Sequence, residues 1–127
     1  MANREQKVTT PMLNPNHAIQ AYKAASRYRS QREQEAEVFR QVNAVLTAAR
    51  DAAPIRQVRA LADNRRLWIT VGDLMRDPAN QLPDSLRAAI VSLGMTVQRE
   101  MDRDTPDFGF LISINEDIAA GLSAPPA

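Results

Sequence analysis

Few side chains in this sequence could do covalent or acid–base chemistry. The 127 residues contain one histidine, His17, and no cysteine. A thiolate nucleophile, a disulfide framework and a paired-histidine zinc site are therefore excluded. His17 has no second ligand or acid–base partner close in sequence and reads as a structural or solvent-facing residue. Glu33, Glu35 and Glu37 are spaced so that a helix spreads them around its surface. They read as a solvated face and not as a general acid–base pair. The glycines, Gly72, Gly94, Gly109 and Gly121, are isolated, and no dinucleotide, phosphate-loop or nucleophile-elbow motif is formed. The expectation is a protein that is not an enzyme, with no catalytic residue, no cofactor and no metal.

What the side chains can do is bind. Arg27, Arg29 and Arg32 cluster near Tyr22 and Tyr28, a grouping that can pair with phosphates and stack on bases. A solubilising arginine collar would look the same. Net charge is only +1, so strong nonspecific attraction to nucleic acid is not expected. The charge is uneven: residues 1–50 hold eight basic and four acidic side chains, whereas residues 101–127 hold one and five.

The elements that would position these residues are helices. Hydrophobic residues make up 44%, a globular share, and the length suits one domain. The eight prolines fall mainly at segment borders, and no stretch alternates like a strand. Five segments follow. The first, about 16–28, opens at Asn16 as an N-cap and has a weak face of Ala18, Ala21, Tyr22, Ala25 and Tyr28. The second, about 31–53, starts at a Ser30/Glu33 capping box and carries Val38, Phe39, Val42, Val45, Leu46 and Ala49 on one side.

The third, about 55–76, has one stripe of Leu61, Leu67, Trp68, Val71, Leu74 and Met75. A second stripe of Ile55, Val58, Ala62 and Ile69 lies beside it. Together they span roughly 240° of the helix, against ~100° or more for an ordinary surface helix. Asn64 falls inside the first stripe and must find hydrogen bonds if it is buried. The fourth, about 84–102, has a core stripe of Leu86, Ala89, Ile90, Leu93 and Val97, with Val91 and Met95 on its back. The fifth, about 108–122, presents Phe110, Leu111, Ile114, Ile118 and Leu122.

The expectation is an all-α fold: a single compact bundle of about five helices over residues 16–122, with loose tails at 1–15 and 123–127. No apolar run is long enough to span a bilayer and the first residues lack a signal-peptide core, so a soluble, cytoplasmic protein without membrane contact is expected. The surplus apolar surface on the third and fourth segments points to a groove for an amphipathic helix of another protein.

Several motifs resemble one family. Asn64-Arg65-Arg66-Leu67-Trp68 is followed by Asn80-Gln81-Leu82-Pro83-Asp84-Ser85-Leu86-Arg87-Ala88 and then by Ser92-Leu93-Gly94. Ala21-Tyr22 ahead of Phe39, and Ile114-Asn115 with Ile118 and Gly121-Leu122, complete a pattern over about residues 20–122. In this combination the chain resembles the FlaF family of flagellar biosynthesis regulators. The pattern is departed from at Ser30-Gln31-Arg32-Glu33, where a proline-containing start is expected, and in the long segment before Asn16.

The resemblance implies a cytoplasmic helical factor that promotes flagellin production and export, opposite the FlbT regulator, which is itself a candidate partner. Joined to the apolar surplus, it implies a chaperone that binds an amphipathic terminal helix of flagellin. The expected contact residues are Tyr22, Asn64, Leu67, Trp68, Val71, Val91 and Met95. The alternative is an RNA-binding post-transcriptional regulator of flagellin synthesis that uses Arg27, Arg29 and Arg32.

Overall fold

A computed structural model describes residues 15–124. Among these residues there are four helices: α1 (Pro15–Ala49), α2 (Pro54–Arg76), α3 (Asp84–Met101) and α4 (Phe108–Ser123). Among the described residues there is no strand. The all-α bundle is as expected, with four helices in place of about five.

The difference lies in the first two expected segments, which form one 35-residue helix. Between Asn16 and Ala49 the sequence has neither glycine nor proline. Ser30 costs a helix only a few tenths of a kcal/mol, less than breaking the hydrogen-bond ladder there. The Ser30/Glu33 pair is therefore helix interior and not a capping box. Arg32 stacks over Tyr28 one turn back, 5.1 Å from the ring centre, across the expected break. Asn16 lies inside α1 and is not its cap, because Pro15 before it is already helical. Pro15 and Ser123 thus belong to helices, while the rest of the expected N-terminal tail and residues 125–127 lie outside the described residues.

The other boundaries follow local chemistry. Pro54 sits at the start of α2, where a missing N–H costs nothing. The α2–α3 turn is held by its own side chains. Asp77 accepts from the Ala79 N–H at 2.9 Å, and Asn80 accepts from the Leu82 N–H at 3.0 Å. Asn80 also donates to the Leu74 carbonyl. Arg87 reaches back from α3 to the carbonyls of Met75 and Asp77, satisfying the open end of α2, and pairs with Asp84. Asp107 caps α4 by accepting from the Phe110 N–H.

α4 and α2 both pack on α1, and α3 packs on α2. Phe39 of α1 meets Trp68 of α2 edge to face, 5.7 Å between ring centres. Leu46, Val97 and Leu111 are fully enclosed around them. The expected core stripe of α3 is only partly inside: Val97 and Met101 are buried, Ile90 and Leu93 are half-buried, and Leu86 and Ala89 are exposed. As the outermost helix, α3 has a neighbour along one side only. The second stripe of α2 stays largely outside, with Ile55, Val58 and Ile69 all more than half exposed.

Candidate partner-binding groove

α1 and α4 run antiparallel. Gly109 at the start of α4 lies against the Arg50 guanidinium, Asn43 donates to the Ile112 carbonyl at 3.0 Å, and Ser123 accepts from Arg40. α4 therefore ends beside the middle of α1. There the end of α4, the start of α3 and the middle of α1 leave an open cleft of about 470 Å³. Leu82, Leu86 and Ile90 line one wall and Ile118 and Leu122 the other, with Tyr28 on the α1 side. Leu86 is 44% exposed although it is a large aliphatic residue on a helix. Glu33, Asp117, Arg29 and Arg32 lie along the margins. An apolar floor with a charged rim suits the hydrophobic face of an amphipathic helix.

A second, smaller cleft of about 240 Å³ separates α2 from α3. Trp68, Val91, Gly94 and Met95 line it, with Arg76 and Asp73 at one end. Gly94 is there for a steric reason: a Cβ at this position would stand 3.2 Å from the Trp68 ring.

The expected contact residues are split by the structure. Tyr22 is 70% exposed and Met95 55%. Val91 is half-buried and packs against the core, so it is not on the back of α3. Asn64, Leu67, Trp68 and Val71 are buried. They build the core, with Trp68 also lining the α2–α3 cleft, because the first stripe of α2 faces α1, α3 and α4 together.

The indole N–H of Trp68, which is 2% exposed, donates to the Asn115 carboxamide oxygen at 2.9 Å. Asn115 in turn donates to the Asn64 oxygen at 2.8 Å, and the Asn64 amide meets the Met101 sulfur at 3.4 Å. This satisfies the buried amide expected at Asn64. The partner Asn115 is not identifiable from spacing alone, because it is distant in the chain.

Of the arginines expected to meet RNA, Arg27 and Arg29 are exposed. Arg32 is buried, paired with Glu35 and stacked over Tyr28 at 5.1 Å from the ring centre, so it is not a free phosphate ligand. Arg65 bridges α2 to α3 through Gln98 and Asp102, and Arg66 pairs with Asp63. Among the described residues no group of three acidic or histidine side chains could hold a metal ion, and no helix is long and apolar enough to cross a membrane.

Sequence comparison adds the family. The model for the flagellar protein FlaF matches residues 18–122. The chain belongs to the FlaF family. The matched span takes in most of α1, all of α2 and α3, and α4 to its last turn, so every groove wall lies within the FlaF unit. Neither a curated protein nor a solved structure gives a significant match. Leu82, Leu86, Ile118 and Leu122 were legible as FlaF-pattern or stripe residues, but their shared opening was not. It depends on where α4 stops relative to α1.

Proposed function

We propose that this FlaF protein binds flagellin in the cytoplasm before export, holding one amphipathic terminal helix of flagellin in the groove between α1, α3 and α4. The observation that carries this reading is the apolar cleft with Leu82, Leu86 and Ile90 on one wall and Ile118 and Leu122 on the other. Family membership supplies the flagellar setting. An unfolded flagellin segment that exposes an apolar helical face self-associates unless that face is covered. A one-to-one complex would cover it and leave flagellin competent for export, by binding and without chemical turnover.

Mixing the purified protein with flagellin should give a co-eluting complex that an unrelated secreted protein does not form. Leu86→Glu should abolish it while leaving the thermal transition of the free protein nearly unchanged, because Leu86 is already exposed. A complex unaffected by Leu86→Glu would overturn the assignment of the groove. Binding to the flagellin transcript, lost on Arg27→Glu with Arg29→Glu and falling steeply with salt, would favour the RNA reading instead.

A further inference from the structure

The stripe that buries α1 in the bundle does not stop where the bundle stops. Arg32, Ala36, Phe39, Asn43, Leu46 and Ala49 are the buried residues of α1, spaced three and four apart. Continued toward the N-terminus at the same spacing, the stripe runs through Arg29, Ala25, Tyr22 and Ala18. From Pro15 to Gln31 every residue except Ser26 is exposed. The first half of α1 is therefore an arm, roughly 25 Å long at 1.5 Å per residue. Among the described residues no helix covers this continuation of the stripe.

The missing neighbour can be specified from the packing already present. α4 covers the stripe from the α1 C-terminus toward the middle of α1 and ends at Ser123, whose hydroxyl accepts from Arg40. The groove opens at this same point, with Tyr28 and Arg29 on its α1 side. An isolated helix of the arm's length is marginal in water, so a partner along it would be stabilising.

We infer that the arm is the second half of the binding site: a bound helix enters the groove and continues along the α1 arm on the track that α4 vacates. Ala18 and Ala25 make that track shallow on either side of Tyr22. The occupant is therefore a helix with bulky aliphatic side chains at three- and four-residue spacing. Its carboxylates would meet Arg29, which is exposed and whose guanidinium donates to the Ser26 hydroxyl at 3.3 Å. This inference rests on the groove holding a flagellin helix and adds the length and chemistry of what is held.

The test uses full-length protein and purified flagellin, with four chains compared by titration: wild type, Leu86→Glu, Ala25→Glu and Gln20→Glu. Ala25 lies on the track and Gln20 on the opposite face of the arm, and both are exposed, so neither change should alter the free protein's melting. Ala25→Glu should weaken flagellin binding about tenfold or more, as expected for a charge placed in a desolvated contact, and Gln20→Glu should leave it unchanged. Amide exchange over residues 18–28 should slow in the complex. If Leu86→Glu abolishes binding while Ala25→Glu binds normally and the arm stays unprotected, the arm is not part of the site, though the groove still is. If neither substitution matters, both readings fall. A free protein that elutes as a dimer dissociated by Ala25→Glu would mean that a second copy covers the arm. Protection of the arm by the flagellin transcript but not by flagellin would also overturn the inference.

Discussion

Asn115 sits where α2, α3 and α4 converge, and its carboxamide is engaged from both ends. Replacing it with alanine leaves the Trp68 N–H and the Asn64 oxygen without partners inside the core and opens a cavity. The expected loss is about 2–4 kcal/mol, read as a lower urea midpoint with an unchanged slope. Gly94 is limited by the same tryptophan. Gly94→Ala gains up to ~1 kcal/mol of helix propensity but drives a methyl to 3.2 Å from a ring held by its own hydrogen bond. Because the ring's hydrogen bond to Asn115 and its contact with Phe39 resist the shift, we expect a net destabilisation of about 1 kcal/mol and a shifted Trp68 emission. Arg87→Ala should cost about 1–2 kcal/mol by stripping the carbonyls of Met75 and Asp77 of their donor. Several motif residues thus have structural roles: Asn64 and Trp68 in the core network, Asn80 and Arg87 in the α2–α3 turn, Gly94 at the α2–α3 contact.

At the scale of elements, α1 consists of two halves in different environments. Its C-terminal half is locked between α2 and α4, and its N-terminal half stands in solvent. In the free protein, amides of residues 19–31 should exchange far faster than those of residues 36–49. Ser30→Pro should unfold the arm and lower the helical signal without moving the cooperative transition, because the buried face begins at Arg32. A transition that moved by several degrees would mean that the arm contributes to the core. The extents of α2, α3 and α4 were readable to within a residue or two, because proline, aspartate and turn chemistry mark them. The union of the first two segments was not, since Ser30 and Glu33 form a capping pattern that tertiary packing leaves unused. Periodicity also placed Leu86 in the core, as a stripe records which side of a helix is apolar but not whether a neighbour reaches that far.

For the whole molecule, apolar area is unequally covered. The sequence suggested the surplus, and the structure relocates it. Trp68 and Val71 are sealed, while Ile55, Val58, Ile69, Leu86 and Met95 remain exposed. The groove arises because α4, at 16 residues, is less than half as long as α1, at 35. No single residue makes this opening. It follows from the mismatch of two helix lengths, which explains why residue-level reading identified the family pattern and much of the core but not this opening. An apolar docking surface also predicts a complex whose affinity changes little with ionic strength, in contrast to phosphate recognition. The most direct measurement is a calorimetric titration of flagellin into wild-type protein and into Leu86→Glu. The account predicts a one-to-one isotherm with a negative heat-capacity change for the wild type and no binding heat for the variant. Equal isotherms for the two proteins, or none for the wild type, would contradict it.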